Sequence, residues 1–113
     1  MIRLPAPRYV ARVAVVDGLC FVVRRSLIDR IGALDETFGY MHCYDLDISL
    51  KSIDAGFRNV VVKCAAMHIG NGGMTRKLRD YKEFVKDDYG LLKKNCRMLE
   101  RKWRHLLPLK VSN

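Results

Sequence analysis

The chain has 113 residues, of which half are hydrophobic and 29% are charged, so its composition is that of a folded domain rather than a disordered, collagen-like or mucin-like segment. Its formal net charge is +9, and residues 76–113 hold twelve of the 21 Lys and Arg residues but only five of the 12 acidic ones. No apolar run approaches the roughly 20 residues of a membrane span, and the first residues lack the apolar core of a signal peptide. We therefore expect one cytoplasmic domain, or part of one.

The first predicted elements are two strands and a short helix. Valine-rich runs at 9–16 and 19–24 favour strands, and Asp17-Gly18 between them favours a turn or bulge. A helix is expected next because Leu27, Ile28 and Ile31 recur at helical spacing. Its expected cap is Ser26 and its expected end is Gly32.

The second predicted helix carries the most acidic part of the sequence. Leu46, Leu50 and Ile53 follow at helical spacing, with Asp45 or Asp47 as the expected cap and Gly56 as the expected end. Around this helix we predict a polar turn at 34–39, a strand at 59–64 and a glycine-rich loop at 69–73.

From Thr75 onward the pattern predicts a long helix that Pro108 ends, with a break or weak point at Gly90. Apolar residues recur there in steps of three and four, at Leu78, Tyr81, Val85, Tyr89, Leu92, Cys96, Leu99, Trp103 and Leu106. The order of elements therefore predicts an α/β chain with few strands and a long C-terminal helix.

The four cysteines are Cys20, Cys43, Cys64 and Cys96, and they form no Cys-x-x-Cys pair. This spacing is typical of a reducing compartment and of buried or half-buried thiols. A zinc site formed by Cys43, Cys64, His42 and His68 is disfavoured, because adjacent ligands such as His42-Cys43 are poorly spaced for chelation.

The candidate chemistry lies in the segment 40–47, where two carboxylates, a histidine and aromatic rings stand at a loop-to-helix junction. Asp45 and Asp47 are two residues apart, so on a helix they point about 200° from one another. We expect one of them to be functional and the other a cap, although both could simply stabilise the helix N-terminus. His68, after a strand, suits a metal ligand, an acid–base group or a structural hydrogen bond.

Six short motifs occur in a recognisable order. They are Val16-Asp17-Gly18, Val22-Val23-Arg24-Arg25, Ile31-Gly32-Ala33-Leu34-Asp35-Glu36-Thr37-Phe38, Tyr44-Asp45-Leu46-Asp47-Ile48-Ser49-Leu50-Lys51, Ala55-Gly56-Phe57-Arg58, and His68 with Gly70 and Gly72-Gly73. Together these motifs resemble the C-terminal half of family 2 glycosyltransferases, and they cover residues 16–73.

The resemblance implies a GT-A fold that binds a nucleotide sugar, and it implies site roles. Asp45 corresponds to the general base that deprotonates the acceptor hydroxyl, and His68 to a histidine that reaches a divalent metal, Mn²⁺ or Mg²⁺, or the diphosphate. Asp47 matches the second, supporting acid of the motif. The expected substrate-binding residues are Asp17, Gly18, Tyr44, Asp47 and Arg76; Arg76 follows from spacing and charge, which suit a leaving nucleoside diphosphate, and not from a motif.

The same resemblance predicts a partial domain. The chain has no Asp-x-Asp metal motif of the donor-binding half, so we expect residues 1–75 to be the acceptor-side half of a GT-A-like domain and residues 76–113 a basic amphipathic helical tail. The expected partners are a nucleotide sugar and a glycan or lipid-linked acceptor. We do not expect this chain to be active alone. We expect it to self-associate through an uncovered apolar face.

Two other functions stay open on charge alone. A small basic nucleic-acid-binding protein fits the pI of about 9.7. However, the tail lacks an RNP-like motif or a helix-turn-helix and contains interspersed acids, so no nucleic-acid partner is expected. A peripheral protein on an anionic membrane surface, at its inner face, fits the amphipathic tail. The same apolar face could instead pack on the rest of the domain.

Overall fold

The structure, a computed structural model, describes residues 9–67 and 79–109. Its elements follow in the order β1 (Val10–Val13), α1 (Arg25–Ile31), a 3₁₀ helix (Glu36–Phe38), α2 (Tyr44–Asp54), β2 (Asn59–Val62), α3 (Arg79–Phe84) and α4 (Asp88–Lys102). The two strands pair antiparallel, with Val10 opposite Val62 and Val13 opposite Asn59. The prediction of a mixed α/β chain with few strands is confirmed at this level. The predicted glycine loop and the predicted helix start at Thr75 lie outside the described residues.

The strand predicted at 19–24 is wrong, and the first strand is shorter than predicted. The chain after β1 runs along α2, and side chains satisfy its backbone groups. Ser49 Oγ accepts from the Val16 N–H at 3.1 Å, and Asn59 Nδ2 donates to the Ala14 carbonyl at 2.8 Å. Because these bonds replace those of a neighbouring strand, they account for the early end of the first strand at Val13. The Leu19 N–H, at the start of the second predicted run, bonds to Asp17 Oδ1 instead of to a strand.

The helix ends were predicted better than the helix starts. α1 ends at Gly32 as predicted, and Gly56, with φ of 83°, follows the end of α2. The predicted caps are wrong, because the N-cap positions are Arg24 for α1 and Cys43 for α2, and neither side chain accepts a capping hydrogen bond. Asp45 and Asp47 therefore lie inside the first turn of α2, where their negative charges interact favourably with the positive end of the helix dipole.

The break in the C-terminal helical segment falls at 85–87 rather than at Gly90. Asp87 is the N-cap of α4, and its carboxylate accepts from the Gly90 N–H at 2.9 Å. An aspartate at the N-cap strongly favours the start of a helix, whereas a glycine inside a helix only weakly favours its end. The helix then ends at Lys102, before Pro108 is reached.

The core lies between the start of α2 and the buried face of α4. It contains Phe38, Cys43, Leu50, Leu99 and Trp103. The apolar face of the C-terminal segment thus packs on the rest of the domain, which is the alternative left open by the sequence. No helix within 9–67 or 79–109 is long and apolar enough to cross a membrane.

All four cysteines are free thiols, but they are not all buried. Cys43 is buried and Cys96 is half-buried, with their sulfur atoms 3.8 Å apart. The prediction of buried or half-buried thiols is wrong for Cys20 and Cys64, which are exposed. Both lie outside the helices and strands and outside the core between α2 and α4.

Candidate functional site

Helix α2 is entered through a turn with left-handed backbone. His42 and Cys43 have φ values of 71° and 69°, a conformation that costs residues other than glycine about 1–2 kcal/mol each. Tyr44, the first residue of α2, follows at once. The geometry of this turn therefore sets the positions of Tyr44 and Asp45.

Helix α4 holds the turn in place at two points. The amide nitrogen of Asn95, a fully buried residue, donates to the carbonyl oxygens of Phe38, Met41 and His42 at 2.7, 2.8 and 3.0 Å. The His42 ring is also anchored, because its Nε2 lies 2.7 Å from Asp88 Oδ1. These bonds offset the backbone cost of the turn.

The carboxylate of Asp45 is oriented by backbone groups on both sides. Its Oδ2 accepts from the Gly18 N–H and its Oδ1 from the Leu46 N–H, each at 2.9 Å. The residue is half-buried, and within the described parts of the chain no Lys or Arg side chain pairs with it. An oriented carboxylate that is not neutralised by a cation can accept a proton from a hydroxyl placed against it.

Tyr44 and the Asp17-Gly18 loop lie beside this carboxylate. A Cβ atom on Gly18 would come within 2.5 Å of Tyr44 Oη, so only glycine leaves room for the tyrosine. Asp17 shapes the loop, since its Oδ1 accepts from the Leu19 N–H at 2.8 Å. Burial, followed by the charges of Asp45 and Asp17, raises the pKa of Tyr44. The structure thus brings together four of the predicted site residues.

Asp47 lies on the other side of α2, in the core. It is 1% exposed, and its Oδ1 accepts from Trp103 Nε1 and from Lys102 Nζ, both at 2.8 Å. Its Oδ2 lies 3.3 Å from Lys51 Nζ. Asp47 therefore joins α2 to α4, and any contribution to substrate binding is indirect.

Lys102 links this buried carboxylate to Asp35 in the turn before the 3₁₀ helix. Its Nζ lies 2.7 Å from Asp35 Oδ2. Burial opposes the charge of Lys102, but its hydrogen bonds to Asp35 and Asp47 outweigh that effect and raise its pKa. In return, the hydrogen bond from Lys102, together with those from Thr37, lowers the pKa of Asp35.

Two predicted site residues, His68 and Arg76, lie outside the described residues. Across 9–67 and 79–109, no three His, Cys, Asp or Glu side chains are grouped closely enough to hold a metal ion. The donor set that the structure describes therefore does not fit Mn²⁺ or Mg²⁺, which need several oxygen ligands.

Sequence reasoning missed the residues that support the site from α4. Asn95 stands among the apolar positions of the α4 pattern, between Leu92 and Leu99, and a polar residue in a buried register is the feature that could have revealed it. Asp88 was missed as well; it binds His42 and also accepts from the Tyr81 hydroxyl. Nothing local in the sequence indicates that contact, because His42 and Asp88 are 46 positions apart.

Comparison with protein-family models, with curated proteins and with solved structures finds no match to this chain.

Proposed function

We propose that this chain is the acceptor-side part of a GT-A-like glycosyltransferase, in which Asp45 is the general base. The observation that carries the proposal is the separation of the two motif carboxylates. Asp47 is buried and bound to Lys102 and Trp103, whereas Asp45 is half-buried, held by the backbone N–H groups of Gly18 and Leu46, and next to Tyr44. The order of the six sequence motifs supports the same assignment.

Glycosyl transfer to a hydroxyl requires a general base, and an oriented carboxylate such as that of Asp45 can serve as one. An acceptor hydroxyl is a weak nucleophile, and its attack on the anomeric carbon of a nucleotide sugar is assisted when its proton passes to an oriented base. The new C–O bond forms as the bond to the diphosphate breaks, and the proton ends on Asp45. The nucleoside diphosphate leaves with the electron pair of the broken bond.

The exposed sheet supports the view that a further part of the domain covers this chain. Val60, Val61 and Val62 on β2 are 42–45% exposed, and Val10 on β1 is 53% exposed. A two-stranded sheet with uncovered valines is marginal by itself. In the proposal, the donor-binding half packs here, and this chain alone self-associates through the same valines.

Ligand-observed NMR with a panel of simple saccharides and nucleotide sugars tests the proposal. We expect saturation transfer from the protein to the ring protons of at least one saccharide. Asp45→Asn keeps the shape but removes the charge, and the loss of a charge-assisted hydrogen bond predicts roughly tenfold weaker binding. Asp54→Asn is the matched control, because Asp54 is an exposed carboxylate at the far end of α2.

Two outcomes would overturn the proposal. One is that no saccharide or nucleotide sugar binds the folded chain. The other is that Asp45→Asn and Asp54→Asn bind the saccharide equally well, which would separate binding from the Asp45 carboxylate.

A further inference from the structure

Helix α4 has two faces with different roles. One face holds Asn95, Leu99 and Trp103, which are at most 8% exposed and pack on the start of α2. The other face carries exposed cations, at Lys93, Lys94, Arg97 and Arg101. With 100° per residue, these four side chains fall within an arc of about 100° whose centre lies opposite the buried residues. Because the buried face fixes the helix, the cationic face points outward.

These cations are not neutralised by the part of the chain that the structure describes. Lys102, one residue further, forms ion pairs with Asp35 and Asp47 at 2.7 and 2.8 Å. By contrast, none of the four outward cations pairs with a carboxylate of residues 9–67 or 79–109. Lys93 instead lies 4.4 Å from the centre of the Tyr89 ring, and Arg101 Nε bonds weakly to the Arg97 carbonyl at 3.4 Å.

We propose that the cationic face of α4 binds the surface of an anionic lipid bilayer by charge, without inserting into it. Leu99, Cys96 and Met98 pack in or against the core, and Leu91 and Leu92 are half-buried, so α4 presents no strongly exposed aliphatic side chain for burial between acyl chains. What remains is a convex row of cations with the exposed carboxylate of Glu100 at its edge and one exposed aromatic ring, Tyr89, at its start. A convex helix face can contact a flat bilayer surface along its length. The Tyr89 ring, with its polar hydroxyl, suits the headgroup region.

A nucleic acid is the competing partner, and the geometry favours it less. Single strands are held in grooves lined by several aromatic side chains, and duplexes are contacted by elements that enter a groove. On the described part of α4, Tyr89 is the one strongly exposed ring, and the cations spread over a convex face. The test below therefore includes an oligonucleotide.

Sedimentation with lipid vesicles tests the proposal on the full chain. Vesicles contain two parts phosphatidylcholine to one part phosphatidylglycerol, and pure phosphatidylcholine vesicles serve as the neutral comparison. We expect binding to the first and not to the second, with release at about 0.5 M salt, where exposed charges are screened. Each cation at an anionic surface contributes roughly fivefold to partitioning, so Arg97→Gln with Arg101→Gln lowers binding about 25-fold.

Matched variants separate this face from the overall charge. Arg24→Gln with Arg58→Gln removes the same charge from exposed positions outside α4, and we expect less than about a twofold change. Arg97→Lys with Arg101→Lys restores the charge and is expected to restore binding. Circular dichroism confirms that each variant is folded.

Three results would overturn the proposal. The first is absence of binding to the anionic vesicles. The second is an equal loss in the two Gln pairs, which would assign the effect to net charge. The third is that an oligonucleotide binds more tightly than the vesicles at the same salt concentration and that only this binding depends on Arg97 and Arg101.

Discussion

Removing the buried carboxylate of Asp47 is expected to destabilise the fold, because it leaves several partners unpaired. Asp47→Ala removes the acceptor of the Trp103 indole N–H at 2.8 Å and two ion pairs, with Lys102 at 2.8 Å and Lys51 at 3.3 Å. Removing one member of a buried ion pair costs about 3–5 kcal/mol. The two lysine side chains here are 32% and 17% exposed, so they recover part of their hydration. We therefore expect a loss of about 2–3 kcal/mol in the free energy of unfolding.

Urea unfolding followed by fluorescence measures this loss directly, because Trp103 is the only tryptophan of the chain and contacts Asp47. The expected loss corresponds to a fall in Tm of roughly 10–20 °C for a domain of this size. Asp47→Asn keeps an acceptor for the indole and should lose about half as much. Asp29→Ala, which breaks an exposed pair with Arg25, is the control and should change stability by less than about 0.5 kcal/mol. If Asp47→Ala is no more destabilising than this control, the assignment of Asp47 to the core is wrong.

Three further predictions concern the loop, acid stability and the thiols. Gly18→Ala should cost about 1–3 kcal/mol of unfolding free energy, because its Cβ meets the Tyr44 hydroxyl, and a double-mutant cycle should show this cost disappear in Tyr44→Ala. The lowered pKa of Asp35 means that its ion pair adds stability above the unfolded pKa of about 3.9 and loses it as the pH falls from there. Asp35→Asn should therefore flatten the loss of stability as the pH falls below about 4 in urea titrations, and an unchanged slope would contradict this. Burial raises the pKa of Cys43 to about 12, so a thiol reagent should modify it at least roughly 100-fold more slowly than the exposed Cys20; equal rates in the native protein would be the contrary result.

The sequence was informative where local patterns determine structure. Glycine after an apolar helical run correctly predicted the ends of α1 and α2, and the valines before Cys64 correctly predicted β2. The first strand ends earlier than expected because the backbone groups of Ala14 and Val16 bond to the side chains of Asn59 and Ser49, and composition does not report those contacts.

The candidate site was predicted in part for the same reason. The two-residue spacing of Asp45 and Asp47 correctly indicated that they point apart, but not that Asp47 is the buried one. That choice depends on Trp103, 56 positions away. The left-handed turn at His42-Cys43 also depends on a distant partner, since Asn95 holds it through carbonyl groups 53 to 57 positions away in the chain.

Protein-observed NMR of the ¹⁵N-labelled chain tests whether Asp45 is the functional carboxylate. The Gly18 amide donates to the Asp45 carboxylate, so its signal reports on that carboxylate. When an acceptor saccharide is added, we expect a saturable shift of the Gly18 signal, while the Trp103 indole signal, which reports on Asp47, stays in place. In Asp45→Asn the Gly18 shift should require roughly tenfold more saccharide. A saccharide that binds without moving Gly18, or one that moves it equally in Asp45→Asn, would contradict the claim that Asp45 is the functional carboxylate.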